Sequence, residues 1–234
     1  MAKLSWGAEA ARAGTLLPAT PSRRPRARGA SAPAGVSRLE QIRRVGCDLL
    51  FQYGYAGMTM RQIAARLRIK AASLYYHFPS KQDILLDVMR ATASELLEGL
   101  RKIADTADDP ETQLNAAIRW HVLFHTQRRE EAFVSHSELR SLTHDNLKEI
   151  LKLRREYERL FDAILKRGQR QGVFLLQEPG VIRNCILTMC TATAGWFSPE
   201  GPLTAEQVAD QIRDFVWSGL IRAQASPAAG SVSA

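Results

Sequence analysis

Residues 59–81 read TMRQIAARLRIKAASLYYHFPSK, from Thr59 to Lys81, and their spacing predicts two short helices across a tight turn. Thr59 and Gln62 suit a capping box, in which the threonine side chain takes a backbone donor and the glutamine reaches back. Met60, Ile63, Ala64 and Leu67 then recur at helical spacing. A second helix, roughly Ala71 to Phe78, follows Arg68-Ile69-Lys70 with Ala72, Leu74 and Phe78 as its apolar positions. It ends at Pro79, because proline pushes the residue before it out of the helical region. Two helices joined in this way form a helix-turn-helix: the first lies across a DNA backbone and lets the second enter the major groove.

The chemistry of the second helix agrees. Lys70 at its start suits a phosphate or a guanine edge, Ser73 is short enough to approach a base, and Ala71 or Ala72 suits a thymine methyl. Tyr75, Tyr76 and His77 suit phosphate oxygens, contacts that set register without reading sequence. Lys81 adds a cation, and Ser80 with Asp83 caps the next helix. An aromatic core cluster is the plainer reading of the three rings. It is preferred for Phe78 and stays open for one of the tyrosines.

The stretch resembles the DNA-binding domain of the TetR family of bacterial transcriptional regulators. The resemblance rests on a first helix ending in Phe51-Gln52-Tyr53-Gly54-Tyr55, on Thr59-Met60-Arg61-Gln62-Ile63-Ala64, on Ser73-Leu74-Tyr75-Tyr76-His77-Phe78 and on Ser80-Lys81. It covers Ser37 to Leu86. It implies an all-α fold, a three-helix DNA-binding domain at 37–82 followed by a larger helical ligand-binding and dimerisation domain at 83–223, about nine helices in all. Thr59, Lys70, Ser73, Tyr75, Tyr76, His77 and Lys81 are the positions it places at DNA, and Ala71 joins them from its place on the helix. Two residues depart from the family pattern. Arg68 stands where the turn usually has glycine, and Lys70 where serine or threonine is common. A left-handed backbone costs arginine more than glycine.

Charge is distributed in the same sense. Residues 1–36 hold six Lys and Arg against one acidic residue, residues 37–81 eight against two, and residues 82–234 eighteen against twenty-one. The positive excess therefore sits in the first third, where counterion release would supply salt-dependent, sequence-independent DNA affinity. Three cysteines, Cys47, Cys185 and Cys190, show no metal spacing and fit a reducing cytoplasm. The long apolar run from Cys185 to Phe197 is shorter than the roughly 20 residues a bilayer requires. No membrane partner is expected.

Residues 1–36 are rich in Ala, Arg, Pro, Gly and Ser and are expected to be disordered, as are residues 224–234. Pro18, Pro21, Pro25 and Pro33 oppose the amphipathic helix of a transit peptide. A misassigned start codon would also account for this leader. Two further readings stay open: a solvated tail, and an arm whose Arg23, Arg24, Arg26 and Arg28 touch the minor groove or backbone.

Downstream the chain reads as helix: Ser80 to about Asp105, Asp109-Pro110 through Gln127, Glu130 to Ser141, Thr143 to Gly168, Pro179 to Phe197 and Leu203 to Arg222, the last opened by a Thr204-x-x-Gln207 box. The fourth of these sets Leu147, Ile150, Leu151, Tyr157, Phe161 and Ile164 inside, and Lys152, Arg155, Glu158, Asp162 and Lys166 outside. The last two helices carry more apolar surface than one small domain covers, which points to a homodimer. The resemblance implies the same, through a four-helix bundle. A two-fold dimer would read a near-palindrome with half-sites roughly 34–36 Å apart, or a multiple of that.

Trp120, Phe124, Phe133, Leu139, Tyr157, Phe161, Met189 and Trp196 lie on helices that, by resemblance, surround a regulatory cavity for an organic ligand, with His121, His125, His136 and Arg140 as the polar residues among them. Ordinary core is the plainer reading of most of them. His121 and His125 have a His-x-x-x-His spacing that can hold a metal, but no third ligand matches it. Satisfied core or cavity histidines are the default, and no metal or cofactor is expected. Residues 136–142, the helix ending in Gly168 and Gly172-Val173-Phe174, and residues 196–201 are more loosely similar to TetR-type regulators of fatty-acid and sterol catabolism that respond to acyl-CoA thioesters. A repressor released by such a thioester leads. A drug-responsive efflux regulator and a ligand-independent architectural DNA binder are the alternatives. An enzyme finds no support: no Ser-His-Asp order, paired catalytic carboxylates, phosphate-cradling glycine loop or cysteine nucleophile setting appears.

Overall fold

The computed structural model describes residues 37–106, 109–175 and 178–220. The expectations for residues 1–36 and 224–234 lie outside them. Among the described residues there are nine α-helices and no strand: α1 Arg38–Gly57, α2 Met60–Leu67, α3 Ala71–His77, α4 Lys81–Ala104, α5 Pro110–Gln127, α6 Arg129–Ser137, α7 His144–Arg170, α8 Pro179–Trp196 and α9 Ala205–Leu220.

The caps agree with the sequence. Thr59 and Gln62 close a reciprocal box at α2, Ser80 accepts from the Asp83 amide at α4, Asp109 accepts from the Glu111 and Thr112 amides ahead of Pro110 at α5, and Thr204 and Gln207 exchange bonds at α9. The turn between α2 and α3 depends on Arg68, which takes the left-handed conformation (φ 55°, ψ 42°) that glycine would take more cheaply. Its amide and that of Ile69 still reach the last carbonyls of α2.

Two apolar cores divide along α4. Ile84, Leu85, Val88 and Met89, from its first half, pack with Ile42, Leu49 and Leu50 of α1, Ile63 of α2, and Leu74 and Phe78. Leu97 and Leu100, from its second half, pack with Ile118 and Val122 of α5, Phe161 and Leu165 of α7 and Leu187 of α8. One continuous helix therefore belongs to both bodies. Arg43 grips Asp87 at 2.7 Å across α1 and α4, and Arg90 meets Glu149 at 2.5 Å across α4 and α7.

Two elements differ from the sequence reading. Residues 130–141 do not form one helix: α6 stops at Ser137 and a 3-10 turn, Leu139–Ser141, follows. The tighter turn lets both Leu139 and Leu142 enter the first core. Glu158 and Asp162 of α7 do not face outward. Glu158 is buried and Asp162 half-buried because α8 packs over them and brings Arg183, 2.7 Å from Asp162 and 4.0 Å from Glu158.

Candidate nucleic-acid interface and inner cavity

α3 turns Leu74 fully inward and leaves Ala71, Ala72, Ser73, Tyr75 and Tyr76 on the surface. Tyr76 is 86 % exposed and carries the half-buried His77 ring edge-on, with centroids 5.3 Å apart. Lys70, the N-cap residue, is exposed and makes no capping bond with its side chain. An apolar helix face anchored by one leucine thus holds hydroxyls, an imidazole and a cation together outside, the set that donates to phosphate oxygens. Phe78 is buried in the first core. Thr59 is exposed but spends its side chain on the α2 cap. Lys81 is half-buried. Its Nζ donates to the Tyr55 carbonyl oxygen at 3.0 Å and lies 4.2 Å from the Tyr55 ring centre, so it ties the end of α1 to the start of α4.

A cavity of about 50 Å³ lies deeper, between α4, α5, α6, α7 and α8. Met89, Thr92, Ala93 and Leu96 form its α4 wall, and Ile150, Leu153, Arg154, Tyr157 and Glu158 its α7 wall. His121, Phe124 and His125 close it from α5, Ala132, Ser135 and His136 from α6, and Leu187 and Thr191 from α8. The imidazoles of His121 and His125 stack in parallel, centroids 4.2 Å apart. Nδ1 of His121 is 2.9 Å from the Tyr157 hydroxyl and its Nε2 3.0 Å from the Thr191 hydroxyl, while Nδ1 of His125 bonds the His121 carbonyl oxygen. Both ring nitrogens of His121 are therefore engaged within the protein, which opposes metal ligation by the pair. Burial, the largest cause, pushes the pKa of all three histidines down, with Arg154 and neighbouring imidazoles adding to it. They are neutral at physiological pH. Burial also lowers the pKa of Arg154 to about 10, against the pull of Glu158, which leaves it charged.

Residues 42–88 match the family model of bacterial regulatory proteins of the tetR family, and residues 107–220 match that of the tetracyclin repressor-like C-terminal domain. The chain belongs to the TetR family. It is a transcriptional regulator with a helix-turn-helix, not an enzyme. The HTH-type transcriptional repressor KstR2 of Mycolicibacterium smegmatis is 26% identical to it over 196 residues, 83% of this chain and 95% of that one. A TetR family regulator, PfmR from Thermus thermophilus, superposes with a TM-score of 0.72 at 29% identity, over 77% of this chain and 99% of that one. AibR, solved with isovaleryl coenzyme A and operator DNA, superposes with a TM-score of 0.71 at 28% identity, over 76% and 97%.

In this TetR-family chain His121, Phe124, His125, His136 and Tyr157 share the cavity wall, whereas the seven other residues singled out in the sequence lie elsewhere, Leu139 in the first core. Trp120 packs over Gly99 and donates its indole N–H to the Leu96 carbonyl oxygen at 3.0 Å. Phe133 points to α1. Phe161 fills the second core, Met189 packs against that core, and Trp196 and Arg140 are exposed. Arg154, Glu158, Ser135 and Thr191 were not singled out for the site. For the first two a signal existed: positions 150, 153, 154, 157 and 158 recur at spacings of three and four, so both charges interrupt an inward stripe. Among the described residues no helix is long and apolar enough to cross a membrane.

Proposed function

We propose that this regulator is a cytoplasmic repressor that binds a near-palindromic operator as a two-fold dimer and leaves it when an organic effector, an acyl-CoA thioester first, enters the cavity. Its DNA contacts would be Thr59, Lys70, Ala71, Ser73, Tyr75, Tyr76, His77 and Lys81, with 37–82 as the reading head and 83–223 as the effector and dimer domain. The observation that carries the effector step is that α4 both walls the cavity, through Met89 to Leu96, and packs into the reading head, through Ile84 to Met89.

Size makes the coupling mechanical. Ligand pockets of drug-sized molecules occupy roughly 300–1,000 Å³, and this cavity holds about 50 Å³. An acyl chain enters only by separating the walls. Separating them moves α4, and a ligand that binds the opened state better draws the dimer away from operator spacing. KstR2, a transcriptional repressor, supports the repressor reading, and AibR, solved with isovaleryl coenzyme A and operator DNA, supports the thioester class. The dimer reading is supported by Val181 and Phe215, which are 58 % and 68 % exposed on α8 and α9.

The test is fluorescence anisotropy of DNA from the chain's own upstream region, at several salt concentrations, with and without isovaleryl-, octanoyl- and steroid-acyl-CoA. Release by one thioester at micromolar concentration is expected. Complexes left intact by all three would remove the thioester from the reading, and absence of any complex at low salt would remove the operator.

A further inference from the structure

The cavity is not uniformly apolar. Arg154 of α7 lies in its wall, and Nη2 donates to the backbone carbonyl oxygen of Ser135 on α6 at 2.7 Å. That bond fixes the guanidinium on the backbone of a residue that also lines the cavity. Ser135 is itself a wall residue, only 8 % exposed, and its Oγ has no hydrogen-bond partner. Buried hydroxyls in folded proteins are nearly always satisfied, and one that is not stands ready for a partner the protein does not supply.

Several other polar wall groups have partners within the protein: the Thr92 hydroxyl donates to the Val88 carbonyl oxygen. His121 is held by Tyr157 and Thr191 and His125 by a backbone carbonyl. The Glu158 carboxylate is 4.0 Å from Arg183. Arg154 is the cation among the wall residues; Glu158 of the same wall offsets part of its charge, but its guanidinium fork and the Ser135 hydroxyl can both donate to an oxygen acceptor.

We propose that Arg154 and Ser135 together receive an acceptor oxygen of the effector, a carboxylate or a carbonyl, so that the effector is an oxygenated apolar molecule rather than a plain hydrocarbon. This rests on the cavity being the effector site and deepens that reading. In an acyl thioester the oxygen is the thioester carbonyl or an oxo or carboxyl group farther along the chain.

Fragments matched in size test this without coenzyme A. Acetophenone and ethylbenzene have nearly the same shape and differ by the carbonyl oxygen, and benzoate adds the charge. Calorimetric titration of the full chain is expected to show acetophenone or benzoate binding about ten-fold or more tightly than ethylbenzene. Which of the two leads tells carbonyl from carboxylate. The advantage should vanish in Arg154→Met and shrink in Ser135→Ala, with ethylbenzene affinity unchanged. Ser135→Ala removes a hydroxyl that has no partner, so it keeps the fold even if Arg154→Met does not. Equal affinities in the wild type, an advantage that survives Ser135→Ala undiminished, or no binding by any of the three overturns the proposal. Failure of the thioester reading shows differently, as operator complexes that acyl-CoAs leave intact while these fragments still discriminate.

Discussion

Phe133 meets Phe51 edge to face, with ring centroids 5.2 Å apart and planes at 82°. Ala132, which precedes Phe133, and Ser135 and His136, two and three residues beyond it, wall the cavity. α6 therefore has the cavity on one side and the first helix of the reading head on the other, a second route beside α4. Gln82, at the start of α4, strengthens the same joint: its Nε2 donates to the Ser141 carbonyl oxygen at 2.5 Å and its Oε1 accepts from the Thr143 amide at 3.2 Å.

Phe133→Ala should uncouple the bodies more than it harms either. Losing an aromatic pair and part of a half-buried ring should lower stability by about 1–3 kcal/mol. Effector-free operator affinity should change by less than about five-fold, and the fall in affinity on adding effector should be at least halved. Anisotropy titrations with and without effector measure both. An unchanged effector response would leave α4 as the sole connection.

Gly99→Ala tests the contact between α4 and α5. A methyl at Gly99 would overlap the Trp120 indole, whose N–H is fixed on the Leu96 carbonyl oxygen. Overpacking of this kind costs about 1–3 kcal/mol, read as a lower urea midpoint. Wild-type stability in the variant would show that the helices separate freely there.

Acid should weaken the fold through the cavity histidines. His125 has a folded pKa of about 4, whereas an unfolded histidine holds its proton up to about 6.5. Between those values the unfolded chain binds protons that the folded chain refuses, so stability is intact above pH 6.5 and declines as pH falls toward 4. His125 alone accounts for about 3 kcal/mol over that window, and His121 and His136 act in the same direction. Urea titrations at about pH 7, 6 and 5 measure the slope, and His125→Leu should flatten it. Equal stability at pH 7 and 5 would contradict a buried, neutral cluster.

On the reading face, Tyr76→Phe removes a hydroxyl from a side chain that is 86 % exposed, so stability should stay within about 0.5 kcal/mol. Operator and non-operator affinity should fall alike, by about 1 kcal/mol. Lys81→Met should lower the salt slope by about 1 and also destabilise the fold, because its Nζ caps the Tyr55 carbonyl oxygen. A change of sequence preference in Tyr76→Phe would move that tyrosine from phosphate to base.

Phe215→Asp tests association. The ring is 68 % exposed on α9, so in a lone subunit the change costs little. In a dimer closed by α8 and α9 it places two charges in an apolar seam. Sedimentation should shift from dimer to monomer, and operator affinity should drop at least ten-fold. A wild-type chain that sediments as a monomer would remove the dimer from the reading.

The sequence by itself determined the reading head and the helical class. Capping boxes, the proline stops and the 3.6-residue apolar rhythm are local signals, satisfied within a few residues. Thr59 with Gln62, Ser80 with Asp83 and Thr204 with Gln207 therefore fall where spacing put them. Arg68 stood out in the sequence only as a departure from the family's glycine, and it was the structure that showed the arginine taking the left-handed conformation itself. The cavity was another matter. Whether an aromatic on an amphipathic helix lines a void or fills the core depends on which helix crosses over it, and crossing is decided by contacts far apart in sequence. Phe161 and Tyr157 occupy the same stripe, yet one closes the core and the other touches the void. Glu158 and Asp162 looked solvated because their counter-charge, Arg183, comes from another helix. Only the tertiary packing of α8 on α7 made burial of those carboxylates tolerable, since a buried charge persists where its partner is brought to it.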